Sequence, residues 1–323
     1  MINKKTTAII MTLSFLVISF FLAGFYCKQN KRADSASYVD PFIGTGGHGH
    51  TYPGASLPFG MVQLSPDTRL TGWDGCSGYH YSDNTIYGFS HTHLSGTGIS
   101  DYGDILFMPT TGDIRLQNGF SGKTSGYGSL FRHSEEKASP GYYAVHLDDY
   151  EIEVELTVTK RAGFHKYIFP KNDRSNILID LTHRDKVIES SINIVDDRTI
   201  EGMRRSLAWA QDQVIYFAAE FSRPFDVKAV AVNEKIQPGI LRVSGKNIKA
   251  VVSYKTKKKE KILVKVGISA VSAEGARKNL RAEISLWDFE ETKKQAREEW
   301  NRALGKIFIE SRFEDKKRSF YNS

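Results

Sequence analysis

The sequence predicts a mainly β protein, a large antiparallel β-sandwich followed by a two-helix linker. Several segments after Tyr142 alternate apolar and polar residues with a period of two, which is typical of strands with one buried face. No helical pattern of useful length separates these segments, which disfavours parallel pairing through crossover helices. Near Ser272 the period changes to that of amphipathic helices.

The clearest strand is Glu151–Val158, in which four apolar residues alternate with glutamates and a threonine. Further strands are predicted at Gly60–Leu64, Asp104–Met108, Asn176–Leu181, Gln213–Phe221, Ile248–Tyr254 and Lys261–Ser269. Residues 112–139 are polar and rich in Gly and Ser, so we expect a mobile excursion there.

Two helices are predicted after the strands. Ala276, Leu280 and Ile284 recur every four residues and define the first helix. Asp288 begins the second helix, with Glu291 placed as in a capping box. Its apolar stripe consists of Phe289, Ala296, Trp300, Ala303 and Leu304.

The first residues are typical of an export signal. Lys4 and Lys5 precede the apolar run Ala8–Ala23, which predicts a secretory signal, with an uncleaved anchor or a lipid-modified Cys27 as alternatives. We therefore assign residues 1–27 to a signal peptide or lipoprotein signal and residues 28–37 to a linker. The protein is expected in the periplasm or cell envelope, touching a membrane only through this segment.

The composition is that of an ordinary globular protein, with 323 residues, 40% of them hydrophobic and 25% charged. The net charge of +7 comes partly from Lys255–Lys261, a run without the aromatic residues that stack on bases, so no nucleic-acid site is predicted. The two cysteines are Cys27 and Cys76. If Cys27 is removed or lipidated, Cys76 is a packed hydrophobe or lines a pocket, and packing is favoured.

The stretch Tyr38–Pro109 carries the functional information. It is crowded with glycine, which regular helices and strands avoid, and it holds five of the nine histidines. Ordered loops on a rigid scaffold commonly bind or catalyse. Three interpretations of these loops compete.

In the first, paired histidines hold a metal ion: His48 with His50, or His91 with His93. A metal-dependent hydrolase barrel needs alternating strands and helices to bring further ligands round, and that alternation is absent. Histidines that hydrogen-bond the loop backbone are the favoured interpretation.

In the second, the loops bind sugar. Trp73 stands among glycines and should display its indole, on which the apolar face of a pyranose can pack. The sugar hydroxyls could hydrogen-bond to Asp67, Arg69, Asp74 and Asp83.

In the third interpretation, a carboxylate pair, Asp101 with Asp104 or Asp67 with Asp74, cleaves a glycosidic bond. Acidic residues in such loops more often cap turns, which is favoured here.

At these residues the sequence resembles glycoside hydrolase family 92, calcium-dependent exo-α-mannosidases. The blocks that carry the resemblance are YVDPFIGTGGHGHTYPGASLPFGMVQLSPD, GWDGCSGYHY and FSHTHLSGTGISDYGDILFMPTTG. The resemblance implies an N-terminal β-sandwich at 38–271, a helical linker at 272–307, and the start of a truncated catalytic (α/α)6 barrel at 308–323. The family's catalytic acid, base and calcium-binding groups lie in the barrel, so no catalytic residue and no metal ligand is assigned here.

The resemblance also implies that the sandwich loops form one wall of a cleft for mannose-containing glycans. Trp73 is expected to contact the sugar, with Arg69 and Cys76 ranked below it, while His91, His93 and Asp101 hold the wall's shape. The chain alone is expected to be inactive and to bind no calcium, and a separate polypeptide could supply the barrel. The alternatives are a stand-alone carbohydrate-binding module and an inactive fragment.

Overall fold

The computed structural model describes residues 34–122 and 125–323. The expected signal, with Cys27, lies outside these residues. Within the described part, no helix has both the length and the apolar character needed to span a membrane.

The described residues form nineteen strands, named β1 to β19 in chain order. They are Ala55–Ser56, Gln63–Asp67, Thr85–Ile86, Gly88–Ser90, Leu106–Thr111, Ser129–Leu130, Lys137–Ser139, Tyr142–Leu147, Ile152–Val158, Ala162–Phe169, Asn172–Asp180, Lys186–Ile194, Thr199–Leu207, Gln213–Phe221, Val227–Val232, Lys235–Gln237, Arg242–Gly245, Ile248–Thr256 and Glu260–Ser269.

Two large sheets form the sandwich. Sheet A has the order β1-β2-β4-β5-β11-β18-β15-β16, and sheet B has the order β17-β12-β13-β14-β19-β10-β9-β8-β7. A small sheet pairs β3 with β6. The described strand pairs are antiparallel, and one apolar core lies between the large sheets. The predicted antiparallel sandwich is confirmed.

The alternation predicted the buried rows well. In β9 and β19 the apolar residues are fully buried, namely Ile152, Val154, Leu156, Val158, Ile262, Val264, Val266 and Ile268. The first predicted strand is displaced, since Gly60–Leu64 was expected and Gln63–Asp67 is observed. Strand β10 was missed because it is buried on both faces and therefore shows no alternation.

The segment 112–139 is partly built into the molecule. Tyr127 is fully buried and donates its hydroxyl hydrogen bond to Asp180 at 2.8 Å. Strands β6 and β7 also lie in this segment. The expected excursion is therefore packed against the sandwich over its second half.

Three helices follow the sandwich: α1 (Ala273–Glu283), α2 (Phe289–Leu304) and α3 (Glu314–Asn322). The first two confirm the predicted helices, and each begins at a side-chain cap. Ser272 accepts from the amide of Gly275, and Asp288 accepts from the amide of Glu291. Helix α3, at residues treated as the start of a barrel, was not predicted as an element.

Helices α1 and α2 pack against sheet B, whereas α3 contacts the 3-10 helix Ser35–Tyr38. A side chain at Gly267 of β19 would overlap the backbone of α1 at Ala276, so glycine permits the close approach. Helix α2 reaches β1, where Trp300 donates to the carbonyl of Ser56 at 2.6 Å. The end of the expected 28–37 linker forms the 3-10 helix Ser35–Tyr38, whose Ala36 amide donates to Asn301 at 2.9 Å.

Candidate functional site

Trp73 is displayed at the surface, as the sequence predicted. It begins the 3-10 turn Trp73–Gly75, entered from Gly72 at φ 87°, and 60% of the residue is exposed. Its indole meets the His50 ring edge-on, with ring centroids 5.1 Å apart. It also lies directly on Gly98, where any side chain would overlap the ring. The indole is thus exposed, and its ring packs against the two loops that carry His50 and Gly98.

The Arg69 guanidinium is engaged by acidic and hydroxyl partners. Its Nε donates to Asp83 at 3.1 Å, a terminal nitrogen forms an ion pair with the same carboxylate, and another hydrogen bond goes to Ser82 at 3.1 Å. The aliphatic stem of Arg69 lies under Gly75, close enough that a Cβ there would be 2.8 Å from Cγ. The stem of Arg69 therefore packs against the Trp73 turn at Gly75.

Cys76 ends the turn as a buried free thiol. Its sulfur donates to the carbonyl of Thr97, which joins the turn to the loop that carries Gly98. Burial raises the pKa of the thiol, although the nearby Arg184 charge opposes that rise. The group is a packed thiol rather than a reactive one.

Arg184 holds the same turn from inside the molecule. Its Nη2 donates to the carbonyls of both Gly75 and Cys76, the latter at 2.7 Å, and its Nε donates to Ser100 at 2.9 Å. Residue Arg184 is buried, and desolvation lowers the pKa of its guanidinium. Sequence reasoning missed this residue because it follows β11, more than a hundred positions from the turn.

His91 belongs to a buried chain of neutral rings. Its Nδ1 donates to the carbonyl of Ile105 at 2.7 Å, so its Nε2 accepts from His165 at 3.0 Å. His165 in turn accepts from the Tyr167 hydroxyl at 2.8 Å. Burial lowers the pKa of His91 to about 4 and that of His165 well below its ordinary value.

His93 joins the loop backbone to a buried carboxylate. Its Nδ1 donates to the carbonyl of Gln63 at 2.8 Å, and its Nε2 lies 3.2 Å from Asp67. Burial by itself would raise the pKa of Asp67, but His93 and His183 hold it well below its usual range. His91 thus contacts the carbonyl of Ile105 in a loop, and His93 contacts the carbonyl of Gln63 at the start of β2.

The acidic residues considered as a catalytic pair are mostly enclosed. Asp104 forms a fully buried ion pair with Arg204 and accepts from Thr92 at 2.8 Å. Asp101 is buried and accepts from the amide of Ala210 at 3.1 Å. Since Asp67 is fully buried too, Asp74 is the member of the two pairs that solvent reaches.

Two of the histidines converge on Asp74. His48 Nδ1 lies 2.6 Å and His50 Nε2 lies 3.4 Å from the same oxygen of Asp74. Among the described residues, these three form the group of His, Cys, Asp and Glu side chains that is close enough to hold a metal ion. His91 and His93, by contrast, turn to different partners, His165 and Asp67.

Comparison with known proteins identifies the family. The glycosyl hydrolase family 92 N-terminal domain matches residues 38–269, and the family's catalytic domain matches residues 275–323. The chain belongs to glycosyl hydrolase family 92. The catalytic-domain match includes α1 and α2, which sequence reasoning had treated as a linker.

Solved family 92 structures share the fold. A family GH92 α-mannosidase from Bacteroides thetaiotaomicron, solved with mannoimidazole, is 37% identical with a TM-score of 0.84. The alignment covers 89% of this chain and 39% of that one. An inverting mannosidase of the same organism is 27% identical with a TM-score of 0.78, over 89% of this chain and 38% of its own.

A curated relative is an uncharacterized secreted glycosidase of Arthroderma benhamiae. It is 28% identical over 309 residues, which cover 87% of this chain and 39% of that protein. The family 92 chain described here therefore spans about two fifths of the length of the relatives it matches.

Calcium does not fit the group around Asp74. Ca²⁺ takes six to eight oxygen ligands, whereas His48, His50 and Asp74 offer two ring nitrogens and one carboxylate. What the arrangement offers is an exposed aromatic plate beside polar groups, on loops fixed by buried hydrogen bonds.

Proposed function

We propose that this chain forms the sugar-facing wall of an exported α-mannosidase, which as a complete enzyme hydrolyses terminal α-mannose from glycans. One observation carries the proposal. In a family 92 chain, Trp73 presents an exposed indole on a turn that Arg69 and the buried Arg184 hold in place. A fixed aromatic face next to polar side chains is suited to a pyranose, whose apolar face packs on the ring.

Trp73 contacts the sugar beyond the scissile bond in this proposal, and Asp74 offers a carboxylate to its hydroxyls. Arg69 and Cys76 belong to the same wall. Their contacts with Asp83 and the Thr97 carbonyl make them the less available groups. His91, His93 and Asp101 keep the wall in shape through their backbone hydrogen bonds.

The bond-breaking groups come, in this proposal, from the part of the relatives that this chain does not span. The complete enzyme is of α-1,2 type and inverts the anomeric centre. Calcium bound by that other part helps to distort the terminal mannose. The other part is supplied by the same polypeptide or by a separate one. The carboxylates of Asp67, Asp101 and Asp104 are buried and so not available to a substrate, which supports placing the bond-breaking groups in that other part.

We also propose export to the periplasm or cell envelope, with a cleaved signal, a lipidated Cys27 or a retained anchor. Two observations support export: Lys4 and Lys5 precede an apolar run at the N-terminus, and the curated relative is described as secreted.

An activity assay tests the wall proposal. We expect the purified chain to release no mannose from α-1,2-mannobiose in the presence of calcium. Release is expected when the remaining family 92 catalytic region is supplied, either fused or as a second polypeptide. Turnover by this chain alone would overthrow the proposal, because the chain would then contain the cleaving groups.

The exposed indole also favours a second function, a stand-alone carbohydrate-binding module. Here the chain alone should bind α-1,2-mannobiose, measured by ligand-observed NMR. Trp73→Ala should abolish the effect, and Trp73→Phe should retain part of it because an aromatic face remains. Leu286→Ala, which trims an exposed apolar residue between α1 and α2, is the control. Equal binding by all variants would rule out Trp73 as the platform.

A further inference from the structure

The loop that carries His48 and His50 is held in one conformation. The amide of Thr51 donates to the carbonyl of Gly44 at 3.2 Å, and His80 Nε2 donates to the carbonyl of Gly47 at 3.1 Å. A side chain at Gly49 would overlap the Gly44 backbone, so only glycine allows this tight loop. The two rings are thus presented by a fixed segment rather than by a free one.

The third group, Asp74, is equally fixed. It lies in the turn that Arg184 holds through the carbonyls of Gly75 and Cys76. One carboxylate and two imidazoles therefore meet between two fixed segments.

The donor set selects the class of ion. Two imidazole nitrogens and a carboxylate suit zinc and the neighbouring first-row divalent ions, with bonds of about 2.0–2.2 Å. At such bond lengths, neighbouring ligand atoms lie roughly 3–3.5 Å apart. The His50–Asp74 separation of 3.4 Å already fits. His48 Nδ1 lies closer, at 2.6 Å from the Asp74 oxygen. Because the His48 side chain is 80% exposed, its ring has room to move away to the distance that a bound ion requires.

We propose that His48, His50 and Asp74 form a binding site for a zinc-class divalent ion, with an open coordination position beside the Trp73 indole. The ion joins the 44–51 loop to the Trp73 turn. The inference goes beyond the proposed function, since a sugar-facing wall requires no such ion.

Metal binding is measured on the purified, tag-free chain after treatment with a chelator. We expect one zinc ion per chain by calorimetry, a zinc-dependent rise in melting temperature, and a Co²⁺ absorption spectrum of nitrogen and oxygen ligation. His50→Ala and Asp74→Asn should weaken zinc binding at least tenfold. His146→Ala, which removes a histidine of β8 beside Glu151, should leave it unchanged.

Trp73 supplies a local readout. Because its ring centroid lies 5.1 Å from that of His50, Cu²⁺ bound at the site should quench Trp73 fluorescence, and Trp73→Phe should remove that quenching while zinc still binds. Asp74→Asn keeps the size of the side chain, and a native melting transition shows that it folds. Absence of saturable zinc binding in the wild type, or equal binding by Asp74→Asn, would overturn the site. Both measurements are made without sugar and so do not depend on the mannosidase proposal.

Discussion

The guanidinium of Arg184 donates to the carbonyl of Cys76 at 2.7 Å, across 108 positions of the chain. The same Nη2 donates to the carbonyl of Gly75. A buried charge between β11 and β12 thus fixes the turn that displays Trp73. The exposed Trp73 turn thus depends on a buried residue.

The first prediction removes this anchor. Arg184→Met leaves two carbonyls without their donor, and each unsatisfied buried group costs about 1–3 kcal/mol. We expect a loss of roughly 2–4 kcal/mol in the free energy of unfolding, measured by urea denaturation. The emission spectrum of Trp73 should become broader, and acrylamide should quench its fluorescence more easily. Arg184→Lys keeps the charge but not the fork of donors, so it should rescue only part of the loss.

Unchanged fluorescence in a folded Arg184→Met variant would show that the turn holds its shape without the guanidinium. The Trp73→Phe background is the control, because it identifies how much of the signal comes from that indole.

Much of this anchoring could not be predicted from the sequence, for a physical reason. Alternation reveals a strand that buries one face, as in β9 and β19, and capping residues reveal where helices begin, as at Asp288. Glycine around Trp73 indicated a displayed indole. Arg184 contacts residues more than a hundred positions away, and nothing local to it marks that contact.

The partners of the histidines show the same limit. Spacing two apart suggested that His91 and His93 act together, but a loop with irregular backbone sends them to His165 and Asp67. His48 and His50 converge only because a distant turn places Asp74 between them. Sequence spacing identified the candidate pairs, and tertiary packing decided which pair converges.

A second prediction concerns the buried ion pair between Asp104 and Arg204. Both side chains are fully buried, and Arg204 also donates to the carbonyls of Leu181, His183 and Arg184. Breaking a buried pair by removing one partner leaves an uncompensated charge and costs about 3–5 kcal/mol. We expect Asp104→Asn and Arg204→Met to lose about that much in urea denaturation, and the double variant to lose less than the sum.

The exposed pair Arg205–Asp212 is the matched control, since the side chains are 40% and 52% exposed. Asp212→Asn should change the free energy of unfolding by less than about 1 kcal/mol. Additive losses in the Asp104 and Arg204 double variant would contradict direct coupling.

A third prediction follows from the neutral ring of His91. Burial lowers its pKa from 6.5 to about 4, so the unfolded chain binds the proton more tightly than the folded chain. Stability from this site is complete above pH 6.5 and declines as the pH falls towards 4. The total is about 3 kcal/mol, since each pKa unit corresponds to about 1.4 kcal/mol. His165 adds to the decline in the same direction.

The measurement is the free energy of unfolding by urea at half-unit steps from pH 7.5 to 4. The curve should steepen below pH 6.5, and His91→Gln, which does not titrate, should flatten it. Asp67 acts in a different window, because a depressed carboxyl pKa costs stability only as the pH falls below about 4. Identical slopes for the wild type and His91→Gln would show that His91 is not the titrating group.

The last prediction uses Gly98 to move the Trp73 indole without touching Trp73. A methyl group at Gly98 would overlap the six-membered part of the ring. Gly98 is not among the residues with positive φ, so alanine suits its backbone and the effect is purely one of space. Gly98→Ala should therefore displace the indole and shift its emission. If the chain forms the proposed sugar-facing wall, the substitution should also weaken mannoside binding by the complete enzyme. The melting temperature should change by only a few degrees, because the side chain that moves is already exposed.

Gly245→Ala is the matched control, since its methyl group would meet only Ile248 at ordinary contact distances, at least 3.6 Å. If Gly98→Ala moves the emission but leaves mannoside affinity unchanged, the indole is displayed for another reason than to receive the sugar.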